Sequence, residues 1–271
     1  MIKHEILNPK NVLNTFIVTA VHDKYIERCL KTLNETINRE EHRIIFLECP
    51  SYEPRNTLYD IIKPYVDIYV RTEKNYGFSK TVNLGLAWVF TPYFTVVHDD
   101  CWFIHKGWWN KVKEDLDKRK DTLMLQPVQR YRREEVELSE FPTEEEYQKL
   151  LKEARNSSVA EIYCMIFKRE WLDLIGLFDE SIYPIGPEDL EFYRLARSID
   201  KRIGVSSRAV IYHKGAGRND KLGGAKNDGY HNDYQTVSFN EKWDGNPKQA
   251  VGGLTTGDNR KPNFPNYIRQ L

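Results

Sequence analysis

The sequence predicts an α/β protein built on a doubly wound, mostly parallel β-sheet flanked by helices. Short β-prone apolar runs alternate with amphipathic helical patterns through the first hundred residues, an alternation typical of parallel sheets. The chain has 271 residues, 40% hydrophobic and 30% charged, which indicates the packed core of one large domain. Ligands of such sheets bind at the carboxyl ends of the strands, so we expect the functional site there.

The first part of the chain supplies four strands whose carboxyl ends carry polar or turn-forming residues. A proline at position 64 is expected to end a short helix before the third strand. The predicted strands are 15–20, 43–48, 66–71 and 93–98, the main helices are 26–37 and 78–90, and the strand-end residues are Thr19, Glu48, Arg71 and His98.

The second part contains fewer clear patterns. Residues 129–158 are highly charged, which favours a solvated helix and loop, although a mobile flap over an acceptor is the alternative. The chain after residue 218 is rich in Gly, Asn, Asp and Lys and predicts a loop-rich tail. The other predicted elements are helices 105–120 and 187–198, a helix starting near Arg169, and strands 122–128, 160–167 and 209–213.

Composition excludes several classes of protein. Lys+Arg and Asp+Glu both number 40, so the net charge gives no indication of nucleic-acid binding. No apolar run approaches the roughly 18 residues of a membrane span, and the N-terminal MIKHEILNPK lacks the apolar core of a signal peptide. The four cysteines form no C-x-x-C pair. We therefore expect free, buried thiols and a cytoplasmic protein.

The segment His98-Asp99-Asp100 follows four apolar or β-prone residues. Adjacent carboxylates at a strand end repel each other, and a hard divalent cation such as Mg²⁺ or Mn²⁺ relieves that repulsion. Alternate strand residues share a face, so we expect His98 and Asp100 on one face and Asp99 pointing away. A plain turn is the competing interpretation of paired acids at a strand end.

Two downstream segments also carry candidate chemistry. Glu188 and Asp189 fall in the first turn of a predicted helix, where acids interact favourably with the helix dipole or serve as a general base. His213 ends a predicted strand and is either structural or a metal ligand. Lys214 and Arg218 follow in a Gly-rich stretch that forms either a basic surface loop or a contact for a diphosphate.

In their order along the chain, these motifs resemble family 2 glycosyltransferases of the GT-A fold. The segment NYGFSKTVNLGLAW (75–88) looks like their N-x-G-F-x-K-x-x-N-x-G-L motif, and VVHDDCWF is similar to their strand ending in a D-x-D motif. The stretch from Ile166 to Arg218 matches their iGgFDE…ED…H pattern. The resemblance implies a catalytic domain over 1–218, with a donor half at about 13–104 and an acceptor half at about 105–218, and an extension over 219–271.

The resemblance also implies a role for each matched position. Asp100 would be the direct metal ligand with His213 completing the site, and Asp189, or Glu188 beside it, would be the catalytic base. Two departures concern Glu48, which stands where relatives have a base-binding Asp, and His98, which replaces the first acid of D-x-D. The implied donor-binding residues are Thr19, Ala20, Val21, Glu48, Gly77, Lys80, Asn83, Asp99, Lys214 and Arg218.

The expected activity is transfer of a sugar from a nucleoside-diphosphate sugar, with a UDP-sugar favoured, to a saccharide or glycan hydroxyl with help from Mn²⁺ or Mg²⁺. Direct displacement with inversion is the leading mechanism. The alternatives are a non-catalytic nucleotide-sugar-binding protein and a retaining transferase acting on protein or modified nucleic acid. A nucleotidyltransferase is disfavoured because the loop after the first strand, AVHDKY, is neither Gly-rich nor basic. Trp102, Trp108 and Trp109 would stack on sugars or pack in the core.

Overall fold

A computed structural model describes residues 12–20, 25–49, 57–131, 141–154, 163–180 and 188–214 of the protein. Along the chain its elements are β1 (Asn14–Ala20), α1 (Ile26–Thr36), β2 (His42–Glu48), α2 (Tyr59–Ile62), a 3-10 turn (Lys63–Tyr65), β3 (Ile68–Arg71), α3 (Phe78–Leu86), β4 (Tyr93–His98), β5 (Cys101–Trp102), α4 (Trp108–Lys118), β6 (Thr122–Tyr131), α5 (Glu144–Ala154), β7 (Cys164–Lys168), α6 (Glu170–Leu174), α7 (Glu188–Ser198) and β8 (Arg202–His213).

The strands form one eight-stranded sheet in the order β3-β2-β1-β4-β7-β6-β8-β5. Strands β3, β2, β1 and β4 are parallel, β7 runs antiparallel to β4 and β6, and β5 runs antiparallel to β8. In the parallel part Ala20 lies opposite Glu48 and Thr19 lies opposite His98. The carboxyl ends of the strands therefore share one edge, as the sequence predicts.

Helices cover both faces of the sheet because alternate strand residues point in opposite directions. Phe16 and Val18 of β1 pack with α1 and α4, whereas Ile17 between them packs with α3. Helix α3 lies close to the strands: a Cβ built on Gly85 would stand 2.7 Å from Ile17 Cγ2 and 2.9 Å from Leu47 Cδ1. Gly85 thus permits this helix to approach the sheet.

The predicted strands all occur, and in β1, β2, β3 and β6 the bounds differ from the prediction by one to three residues. The larger differences are in β8, which begins at Arg202 rather than 209, and in β7, which begins at Cys164 rather than 160. The first half of β8 contains Gly204 and two serines, which interrupt the apolar pattern by which a strand is recognised. Backbone pairing with β6 extends the strand through these residues.

The charged segment 129–158 is only partly a solvated helix. Helix α5 buries Tyr147 and Leu151 against β8 and Trp102, while the flanking residues 132–140 and 155–158 lie outside the described part. Trp102, Trp108 and Trp109 are at most 1% exposed. Stacking of these three rings on a sugar is therefore wrong, because all of them belong to the core.

The four cysteines are buried and free, which confirms the expectation of free, buried thiols. Among the described helices, none combines the length and hydropathy that a bilayer crossing requires.

Replacing Gly85 with alanine should destabilise the protein. Overpacking against Ile17 and Leu47 costs about 1–3 kcal/mol, more than the roughly 1 kcal/mol that alanine gains in helix propensity. Chemical denaturation of the wild type and the Gly85→Ala variant measures the difference.

The matched control is Gly204→Ala, where the new Cβ would lie 3.7 Å from Leu125 Cδ2, an ordinary contact distance. It should change the free energy of unfolding by less than about 1 kcal/mol. A Gly85→Ala protein as stable as the wild type would refute the close-packing argument.

Candidate metal and donor site

The carboxyl end of β4 and the end of β8 meet through the short strand β5. Cys101 of β5 lies opposite His213, and the Lys214 N–H donates to the Asp100 carbonyl oxygen at 3.0 Å. This pairing places Asp100 Oδ1 3.2 Å from His213 Nε2. Two residues far apart in sequence thus become direct neighbours.

His98 joins them. Within the described residues, His98, Asp100 and His213 form a cluster in which one ligand atom from each lies within 4.8 Å of the others. The expected proximity of His98 and Asp100 is observed, but β4 ends at His98 and residues 99 and 100 form a turn, so the turn and not strand alternation brings them together. Asp100 and His213 are buried, and His98 is partly exposed.

A side-chain amide orients the ring of His213. Gln129 Oε1 lies 2.9 Å from His213 Nδ1, and an amide oxygen only accepts hydrogen bonds, so Nδ1 donates to it. The other ring nitrogen, Nε2, therefore faces Asp100. Tyr163 stacks on the same ring with centroids 5.1 Å apart, and its hydroxyl donates to the Pro127 carbonyl oxygen. The imidazole is held in a fixed plane.

The environment of His98 disfavours its charged form. Burial lowers its pKa to about 4, with Asp100 raising and His213 further lowering the value, so the ring is neutral at pH 7. Its Nε2 is buried with no hydrogen-bond partner among the described groups. Phe78 packs edge-on against the ring at 5.2 Å.

These groups fit a divalent cation. Two imidazole nitrogens and a carboxylate oxygen are ligands of borderline metals such as Mn²⁺. Metal–ligand distances of about 2.1–2.3 Å separate two ligand atoms by at most about 4.6 Å, and the three atoms here, within 4.8 Å of one another, lie at about that separation.

The N-terminus of α3 approaches the same edge. Gly77 has φ 79°, a backbone conformation that side chains with a Cβ rarely adopt. Its N–H donates to Asn75 Oδ1 at 2.8 Å, and its carbonyl accepts the Thr81 hydroxyl at 2.6 Å. Lys80, one turn into the helix, lies 3.9 Å from Glu180 Oε2 and over the Tyr76 ring at 5.0 Å.

Asn83 connects α3 to the chain after α6. Its Nδ2 donates to the Phe178 carbonyl at 2.9 Å and to Glu180 Oε1 at 3.0 Å, and its Oδ1 accepts the Phe178 N–H at 2.9 Å. Asn83 is 2% exposed. In the structure Asn83 therefore joins α3 to the residues around Phe178, and the donor contact that the resemblance implies stays a prediction.

Glu48 ends β2 as a fully buried carboxylate. Its Oε2 accepts the Tyr69 hydroxyl at 2.5 Å and the Leu58 N–H at 3.0 Å, and Arg71 Nε lies 3.8 Å from Oε1. Burial, together with the bond to Glu48, raises the pKa of Tyr69 to about 12. Glu48 holds together the elements around it, and a nucleobase contact stays a prediction.

The remaining predicted positions divide into two groups. Thr19 lies beside His98 and Ala20 beside Glu48, whereas Asp99 is partly buried in the turn after β4. Helix α7 begins at Glu188 as predicted. The positions outside the described part are Val21, Arg218, the tail 219–271 and the side chains of Glu188 and Asp189.

A family comparison decides the classification. The model of glycosyl transferase family 2 matches residues 15–176. The chain belongs to this family. The motif resemblance is thereby confirmed, whereas no curated protein matches the chain.

Solved structures agree on the fold. TarS of S. aureus matches with a TM-score of 0.54 and 18% sequence identity, over 75% of this chain and 37% of the TarS chain. TarS 1–349 with UDP-GlcNAc matches with a TM-score of 0.51 and 16% identity, over 75% of this chain and 58% of that chain. The mannosyltransferase PcManGT of Pyrobaculum calidifontis, in complex with GDP-Man and Mn²⁺, matches with a TM-score of 0.58 and 14% identity, over 78% of this chain and 59% of that chain. The chain spans less than two thirds of each, and the likeness shows the GT-A fold.

Sequence reasoning missed two supports of the site. Gln129 and Tyr163 hold the His213 ring. Gln129 falls at the start of the charged segment 129–158, and Tyr163 falls in the predicted strand 160–167. No local pattern in the sequence marks either residue as a contact of His213.

Removing the Tyr69 hydroxyl should destabilise the protein more than removing the hydroxyl of Tyr93, which bonds to an exposed carboxylate. Tyr69→Phe deprives a fully buried Glu48 oxygen of a donor, which costs about 1–3 kcal/mol. Tyr93→Phe is the control, because its acceptor, Asp117, is exposed, and the loss should stay below about 1 kcal/mol. Urea unfolding compares the two variants, and equal losses would contradict the anchoring role of Glu48.

Proposed function

We propose that this protein transfers a sugar from a nucleoside-diphosphate sugar to an acceptor hydroxyl in a metal-dependent, inverting reaction. The observation that carries the proposal is the cluster of Asp100, His213 and His98 at the carboxyl edge of the sheet, beside the N-terminus of α3, in a chain of glycosyl transferase family 2. The PcManGT structure contains GDP-Man and Mn²⁺, and a TarS structure contains UDP-GlcNAc. These support a nucleotide-sugar donor, and a UDP-sugar is the donor that we propose.

In this proposal the carboxyl edge holds the donor. Thr19, Ala20 and Val21 line the base pocket, with Glu48 nearby, and Gly77 permits the backbone to approach the ribose and phosphates. Lys80, Asn83, Asp99, Lys214 and Arg218 complete the donor site. The register of β1 with β2 and β4 supports this arrangement, because it brings Thr19 and Ala20 beside His98 and Glu48.

A Mn²⁺ or Mg²⁺ ion held by Asp100 and His213 would neutralise charge that develops on the departing nucleoside diphosphate. Asp100 contributes a carboxylate and His213 a lone pair whose direction Gln129 fixes.

Asp189 acts as the general base, with Glu188 as the neighbouring alternative. It accepts the proton of the acceptor hydroxyl while that oxygen forms a bond to the anomeric carbon and the bond to the diphosphate breaks. Attack from the side opposite the leaving group inverts the anomeric configuration. The family motif around α7 supports the assignment, and a saccharide or glycan is the proposed acceptor.

Asp189→Asn should lower the turnover number about 100-fold or more, because the amide accepts no proton, while donor affinity changes little. Steady-state transfer kinetics and donor titration measure both quantities. Asp173→Asn, which alters an exposed acid on α6, is the matched control and should behave as the wild type.

Near-normal turnover of Asp189→Asn, with a large loss in Glu188→Gln, would move the base to Glu188. Normal turnover in both variants would refute a base in this segment. NMR of the product anomer distinguishes inversion from retention.

Removing divalent ions should abolish donor recognition. Thermal-shift measurements with UDP-, GDP-, dTDP- and CMP-sugars are expected to show the largest stabilisation for a UDP-sugar with Mn²⁺ and little after chelation, because only the metal-loaded site screens the diphosphate charge. Equal shifts with and without metal would refute metal dependence. Donor binding without hydrolysis or transfer would identify a non-catalytic binding protein.

A further inference from the structure

We propose that His98 is the third protein ligand of the metal, so that the site contains two imidazoles and one carboxylate and selects ions that accept nitrogen ligands, such as Mn²⁺ and Co²⁺, over Mg²⁺. This inference rests on the metal site of the proposed function and deepens it. In the family motif the position of His98 is an acid, so the sequence resemblance alone gives no such role.

The first argument is an atom without a protein partner. The Nε2 of His98 is buried and has no hydrogen-bond partner among the described residues. A buried polar atom without a partner destabilises the folded protein. The same ring takes part in the cluster with Asp100 and His213, and a metal ion bound there accepts a nitrogen lone pair.

The second argument concerns His213. Gln129 Oε1 lies 2.9 Å from its Nδ1, so Nε2 is the ring nitrogen that faces Asp100 Oδ1, 3.2 Å away. An imidazole nitrogen and a carboxylate oxygen at this separation can both contact one cation. The His98 ring centroid lies 6.0 Å from that of His213, and one ligand atom from each of the three residues lies within 4.8 Å of the others.

The third argument is the number and kind of ligands. Mg²⁺ prefers oxygen ligands in a nearly ideal octahedron, whereas imidazole suits first-row transition metals. Two nitrogens in the protein set therefore penalise Mg²⁺ relative to Mn²⁺ or Co²⁺. Three protein ligands leave about three of six positions open for oxygens of a diphosphate and water.

Co²⁺ titration of the full protein without nucleotide tests the assignment, with visible absorption as the readout. His98→Gln should weaken Co²⁺ binding about tenfold or more. His105→Gln removes an imidazole that instead pairs with Glu144 at 2.8 Å, and it should leave Co²⁺ affinity unchanged. Unchanged affinity in His98→Gln would overturn the proposal.

A swap tests selectivity directly. His98→Asp restores the acid of the family motif, and it should lower the ratio of Co²⁺ to Mg²⁺ affinity at least about tenfold, because an oxygen ligand replaces a nitrogen. Calorimetric titration with each ion measures the ratio. An unchanged ratio counts against nitrogen coordination by His98.

Imidazole NMR of the ¹⁵N-labelled wild type provides a readout that does not depend on the folding of a variant. Adding Zn²⁺, which is diamagnetic, should shift ring nitrogens of both His98 and His213, and a shift confined to His213 would overturn the proposal. Transfer activity is measured separately: a protein that binds Co²⁺ through His98 yet transfers no sugar refutes the proposed function only. Transfer without His98 coordination refutes this inference only.

Discussion

The short antiparallel pairing of β5 with the end of β8 is the constraint on which the site depends. It contains two residues on the β5 side, Cys101 and Trp102, yet it fixes the turn after β4 against His213. The Lys214 N–H bound to the Asp100 carbonyl extends the pairing by one more hydrogen bond. Without it, Asp100 would sit on an unpaired strand end, and its carboxylate would have no fixed relation to the imidazole.

The packing around this pairing gives the polar cluster its rigidity. Trp102 of β5 packs into the small core formed by α5 and the end of β8, so the charged insertion between β6 and β7 stabilises the site through its apolar face. On the other side, Tyr163 and Gln129 hold the His213 ring. Side chains buried for packing thus determine which ring nitrogen of His213 faces Asp100, and that orientation gives the cluster its capacity for a cation.

Much of this arrangement could be predicted from sequence. The strand ends at Thr19, Glu48 and His98 share one edge because parallel strands start from the same side of the sheet. The limits of prediction are also specific. Glu48 looks available for a ligand in the sequence, yet contacts from Leu58 and Tyr69 occupy it in the fold, and no local pattern encodes those contacts.

The sequence by itself determined the fold class, the edge that carries the site and the order of the family motifs, since each depends on local periodicity or spacing. Only the tertiary structure decided that His213 meets Asp100 and that Gln129, 84 positions from His213, contacts its Nδ1. Such contacts depend on strand order and register. These are properties of long-range pairing, in which the whole core decides which distant residues become neighbours.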